Sequence, residues 1–139
     1  MTEFEVERMM PANANDVFDL VSDLSRLADW LPGSVTVHPT GETSVHADVE
    51  PRHVHAEGQV RAERDQLRLE WTGDAGPQVD YAGWLQVMPT DEHSSRVALH
   101  LSFLGHQPET HGGRASEQIR QWMTEGLERL EQLVAAQYA

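Results

Sequence analysis

The chain contains no cysteine, which removes disulfides, thiolate nucleophiles and cysteine-ligated zinc together. It contains no lysine either, because all ten basic residues are Arg. Schiff-base chemistry on a side-chain amine is thereby excluded, and so is the lysine of a phosphate-binding P-loop. Positive charge is scarce overall, with 10 Arg against 23 acidic residues and a formal net charge of −13. So acidic a chain repels phosphate backbones and anionic lipid headgroups, and neither nucleic acid nor a membrane surface is an expected partner. Long apolar runs are missing too. No stretch approaches the roughly 18 residues that a membrane span needs, and the start, with Glu3, Glu5 and Glu7, does not read as a signal peptide. The expectation is a cytoplasmic protein with no membrane insertion. Its 139 residues suit a single domain, 1–139, with a core that needs no staples.

What is present is periodicity. Residues 3–10 alternate Glu3, Glu5 and Glu7 with Phe4, Val6 and Arg8, the signature of a half-buried strand, and Pro11 ends it. Asn13 is a candidate N-cap with an acid, Asp16, three residues later. Val17, Leu20, Val21 and Leu24 then predict an amphipathic helix of about three turns. A second short helical piece, 25–31, stops at Pro32-Gly33. From 34 to 103 the period falls to two. Faces formed by Val35 and Val37; Val45, Ala47 and Val49; Val54 to Ala62; Leu67, Leu69 and Trp71; Val79 to Val87; and Val97 to Phe103 predict six more strands. Short turns join them, as suits antiparallel neighbours. After a polar loop at 105–113, Ile119, Trp122, Met123, Gly126, Leu127, Leu130, Leu133 and Val134 form the apolar stripe of one long helix. The class is α+β: a seven-stranded antiparallel sheet curled around the C-terminal helix, with two short helices between strands 1 and 2.

Small residues recur on the inward phase of the strands: Ala47, Ala56, Gly58, Ala62 and Gly83. With Gly126 on the helix, they predict space between sheet and helix, an internal cavity with apolar and aromatic walls. The competing expectation is a solid core in which Trp30, Trp71, Trp122 and Met123 fill that space.

Particular motifs carry a resemblance. Val17-Phe18-Asp19-Leu20-Val21-Ser22-Asp23, followed by Ala28-Asp29-Trp30-Leu31-Pro32-Gly33, resembles the first helix and the W-x-P-G passage into the second strand of the START-like (SRPBCC) superfamily. This is the helix-grip, or Bet v 1-like, fold, and the likeness is to its polyketide cyclase/dehydrase and lipid-transport group. The segment Gly126-Leu127-Glu128-Arg129-Leu130-Glu131-Gln132-Leu133 is similar to that group's last helix. The resemblance implies an internal pocket for a hydrophobic small molecule: a lipid, polyketide or isoprenoid-like compound. It leaves carrier and enzyme both open, since the fold hosts each. The walls of such a pocket would be Trp30, Leu69, Trp71, Tyr81, Leu99, Leu101, Phe103, Trp122, Met123 and Gly126.

Aromatase/cyclase members of the group place Arg, Ser and Tyr in the pocket, where they can polarise a carbonyl and move protons. Here the inward phase from 54 to 62 is Val, Ala, Gly, Val, Ala. Tyr81 is the one titratable side chain in an apolar phase, so it is the single candidate for a catalytic acid in a polyketide cyclase, aromatase or dehydratase. A wall so apolar suits binding better than catalysis, and no catalytic residue is assigned. No cofactor is expected. Eight histidines invite a test for metal. His53, His55 and Glu57 share one strand face, and a hairpin would add His46 and Asp48. That face is the polar phase, expected to look at solvent, so no metal is assigned. His38, His100, His106 and His111 have no Ser or Cys partner at a recognised spacing. Trp84 falls in the outward phase beside Met88. Either it marks an interface, which leaves room for a homodimer or a protein partner, or a bulge near Gly83 turns it inward. The loop 105–113 lies where a pocket gate would be.

Overall fold

Glu3, Glu5 and Glu7 point away from the protein while Phe4 and Met10 are buried, so the period-2 start forms β1 (Thr2–Met10). The structure, a computed structural model, describes residues 2–31, 35–41, 44–49, 54–74, 80–103 and 113–138. Asn13 caps α1 (Ala14–Val21) reciprocally: its Oδ1 accepts from the Asp16 N–H at 2.9 Å, and its Nδ2 donates to the Asp16 carboxylate at 3.0 Å. This helix is shorter than its apolar spacing predicts. Asp23 starts a separate 3-10 turn (Leu24–Arg26) by accepting from the Ser25 N–H, which takes Leu24 out of the helix. Then follow α2 (Leu27–Trp30), β2 (Val35–Pro39), β3 (Ser44–Val49), β4 (Val54–Glu63), β5 (Arg68–Asp74), β6 (Asp80–Asp91), β7 (Ser94–Phe103) and α3 (Gly113–Tyr138).

The strands make one antiparallel sheet in the order β1-β7-β6-β5-β4-β3-β2. The chain leaves one edge after β1, crosses through α1 and α2 to β2 at the other edge, and returns by hairpins. Two of those hairpins depart from the expected turns. Between β4 and β5, Leu67 adopts a left-handed backbone with φ 53°; its carbonyl is held by the Val87 N–H at 2.9 Å. Between β6 and β7 the strand runs on through Pro89 to Asp91, with a register shift that leaves Thr90 as the extra residue. The turn proper is closed by Asp91, whose carboxylate accepts from the His93 N–H at 2.7 Å.

Helix α3 lies along the inner face beside β1, and α2 packs against it and against β2. Arg8 of β1 clasps α3 through Glu131 at 2.8 Å and Glu128 at 3.9 Å. Arg120 of α3 lies 5.2 Å over the Phe4 ring. Among the described residues, no helix is long and apolar enough to cross a membrane.

Candidate functional site

The register stacks the inward residues of the sheet into rows that cross the strands. Leu69, Leu85 and Leu99 form one row with Val6 at its end, and Trp71, Gly83 and Leu101 form the next, running from Val60 to Phe4. The row beyond pairs Gly73 with Tyr81 and Tyr81 with Phe103. The sequence-predicted wall residues of β5, β6 and β7 therefore occupy three consecutive rows of one face. From the helical side, Met123 and Gly126 are buried, Trp122 is partly buried against the same cluster, and Trp30 is buried at the end of α2. Side chains of Tyr81 and Phe103 lie outside the described residues, as do positions 105–112 of the expected gate.

Burial changes from row to row. On β7, Val97 is 0 % and Leu99 8 % exposed, while Leu101 is only half-buried. Leu69 is buried and Trp71 is not. On the row of Trp71, the apolar side chains of Val60, Trp71 and Leu101 are only partly buried, while Phe4 at its end is buried; Trp122 of α3 is partly buried as well. Part of the space that small inward residues predict is already taken. A Cβ on Gly83 would stand 2.7 Å from ring carbons of Trp71 and 2.5 Å from the His100 carbonyl oxygen. Gly83 is what lets the indole lie close against the sheet. Likewise a Cβ on Gly58 would meet Val45 at 3.1 Å. Cross-strand neighbours thus cover both glycines, whereas Ala62 is exposed.

Among the described residues, two titratable groups have shifted pKa values, and both sit at the other end of the sheet. Burial, together with the charges of Asp16 and Asp19, raises the Tyr138 phenol above its ordinary 10.0. The Asp91 carboxyl is lowered below 3.8 by the turn N–H of His93 and then by the Ser94 hydroxyl.

The polyketide cyclase/dehydrase and lipid-transport family matches residues 1–135. The chain belongs to this family. No curated protein matches it. Solved structures share its fold at low identity. A protein of Thermus thermophilus superposes with a TM-score of 0.79 at 22% identity, covering 99% of this chain and 100% of that one. The di-domain ARO/CYC protein BexL gives 0.74 at 16%, over 95% of this chain and 46% of its own. Norcoclaurine synthase of Thalictrum flavum, in complex with dopamine and hydroxybenzaldehyde, gives 0.70 at 15%, over 99% and 88%. The seven-stranded sheet and C-terminal helix are the helix-grip architecture of the START/Bet v 1-like superfamily.

Family membership does not account for the outer face of the sheet. The register is continuous from Tyr81 to Pro89, so no bulge turns Trp84 inward. Its indole stacks on the His100 ring, with centroids 4.9 Å apart and planes 3° from parallel. The Arg68 guanidinium lies 4.5 Å over the Trp84 ring, and its Nε donates to Glu70 at 2.8 Å. Both ring nitrogens of His100 are engaged, Nδ1 with Glu5 at 3.2 Å and Nε2 with Ser102 at 3.1 Å. The tiers run along an open groove of about 810 Å³ that also touches Arg61. Sequence reasoning found Trp84 but missed Arg68 and His100 as its partners, because only the register brings them together.

On the other polar stretch, the pairing sets His46 opposite both Glu57 and His38, and Asp48 opposite His55, as a hairpin requires. The side chains of Asp48, His55 and Glu57 and the whole of His53 lie outside the described residues.

Proposed function

We propose that this family member binds a hydrophobic small molecule (a lipid, polyketide or isoprenoid-like compound) between the sheet and α3. The observation that supports the reading is the partly buried apolar set of Val60, Trp71 and Leu101 on one row, next to the buried Leu69, Leu85 and Leu99. Burying such a ligand contributes about 25 cal/mol per Å² before ordering costs are subtracted. The walls are those expected from the sequence, with Leu69, Leu99, Met123 and Gly126 as the floor. Native mass spectrometry of freshly purified protein tests this directly, since a retained ligand declares its mass. A solvatochromic dye such as Nile red should bind and blue-shift, and Trp71→Ala should weaken it. Failure of the dye to bind the folded protein would sink the proposal.

Catalysis of the cyclase or dehydratase kind is the alternative that family membership keeps alive, with Tyr81 as its acid. Turnover of a polyketide-like substrate that disappears in Tyr81→Phe would establish it; stabilisation by ligand without product supports binding instead. A protein-interaction role is supported by a separate observation, the Arg68–Trp84–His100 tiers on the open outer face. It predicts association, with a second copy or another protein, that weakens in Trp84→Ala and is unaffected by Trp71→Ala.

A further inference from the structure

Across its strands, the outer face of the sheet changes charge from one margin to the other. β1 presents Glu3, Glu5 and Glu7, all exposed. Beside them β7 and β6 set His100, Ala98, Trp84 and Gln86, none of them acid or Arg. β5 and β4 then bring Arg68 and Arg61. One row shows the change in full, running from Glu7 through Ala98 and Gln86 to Arg68. Glu70 and Glu63 stand at the basic margin too, each paired with the Arg on its own strand. A guanidinium has five N–H donors, so Arg68 and Arg61 keep donors for a second carboxylate. The centre is preorganised. Trp84 is held between Arg68 and His100, which are fixed in turn by Glu70, Ser102 and Glu5, so the tiers lose little freedom on association. Met9, the one large apolar side chain exposed among the described residues, stands on the same face, on a row with Arg96 and Met88. Trp and Arg are the side chains that most often carry the binding energy of an interface.

We propose that a second copy of the chain docks on this face, sheet against sheet, about a two-fold axis running along the strands between β6 and β7. The inference rests on the interaction role given to the outer face above and names its partner. Two sheets pack face to face with their strands nearly aligned, and a two-fold contact brings the same patch from each copy. An axis along the strands keeps every row over itself and sets β1 of each copy over β5 of the other. Glu7 of one copy then meets Arg68 of the other, twice. An axis across the strands would set β1 over β1, glutamate on glutamate, and like charge disfavours it. The patch spans five strands about 4.8 Å apart and four outward rows about 6.8 Å apart, or about 20 by 20 Å. That is the scale of a small, transient interface. The charge of −13 on each copy opposes association, but at physiological salt it is screened beyond about 8 Å. Contacts at the margins therefore set the geometry, and the centre supplies the affinity.

Sedimentation equilibrium of the full chain, from about 10 to about 500 μM, reads the association. The expected result is a monomer–dimer equilibrium that weakens about tenfold in Trp84→Ala. Glu7→Arg should weaken it as well, and because Glu7 is exposed this variant leaves the fold untouched. A charge exchange tests the arrangement itself. Glu7→Arg and Arg68→Glu should each associate poorly alone, whereas an equal mixture should form a heterodimer, recognised by its mass in native mass spectrometry. Only the mixed pair keeps opposite charges at both margins. If the chain stays monomeric throughout the range, the second copy is overturned as the partner, while a role toward another protein stands. If the dimer forms but Trp84→Ala leaves it unchanged, the outer face is not the contact and the inference falls. If Trp84→Ala weakens the dimer and the mixture does not recover it, the two-fold arrangement along the strands is overturned.

Discussion

At the α1 end of the inner face, Val87, Val97, Leu130 and Val134 are each at most 1 % exposed; four residues along β7 from Val97, Leu101 is reached by solvent. The same strands and the same helix supply both ends. What differs is the cover. At the first end α1 lays Val17, Phe18, Leu20 and Val21 across the sheet, and Arg64 closes over them, 5.1 Å above the Phe18 ring and 2.7 Å from Asp19. The cover of a separate two-turn helix goes with the difference, so one sheet face holds a sealed core beside apolar side chains that solvent reaches.

Removing the cover should break the distinction most severely. Phe18→Ala is expected to cost about 3–5 kcal/mol in urea unfolding, whereas Leu101→Ala should cost about 1–2 kcal/mol, since part of that side chain already meets water. Equal costs would mean that the two ends are packed alike. Next in size, Gly83→Ala sets a Cβ against Trp71 and should destabilise by about 1–3 kcal/mol. It should also change Trp71 fluorescence, an effect absent if the indole is free to move aside. Asn13→Ala removes the cap of the covering helix and should cost about 1 kcal/mol, read as faster amide exchange in 14–21 with little change in β4 and β5. The smallest effect is alkaline. The Tyr138 phenol is raised because the folded environment disfavours its ionised form. Its stabilisation is therefore full below the ordinary value of 10.0 and is lost as pH rises through the higher folded value. Tyr138→Phe should flatten that limb, measured as melting temperature against pH.

Much of this arrangement was legible beforehand. The alternation of Val97, Leu99 and Leu101 and the stripe from Ile119 to Val134 required one sheet face against one helix, and Asn13 with Asp16 announced the cap. Local competition was harder to see. Leu24 fits the helical period, but Asp23 offers the Ser25 N–H a better bond and ends the helix early. The Pro89-Thr90-Asp91 segment reads as a turn, but the strand absorbs Thr90 as an extra residue and turns later. Leu67 carries no sign of its left-handed backbone, since leucine is among the residues least suited to it. Within the candidate site, the wall residues were readable as a phase, but what fills the phase was not. Gly83 reads as empty space until the register shows Trp71 opposite it.

The sheet order also sets a timetable. Among the described residues, 2–10 pair with 95–103, so β1 has no partner in this sheet until β7, the last of the seven strands, has been made. During that wait it is an open edge, the kind of segment that recruits neighbouring chains. Glu3, Glu5 and Glu7 place a negative charge at every second position of that edge, so two waiting strands repel each other. A stripe that in the finished protein faces outward, with Glu5 beside His100, would act, during synthesis, as the guard that keeps β1 available for β7.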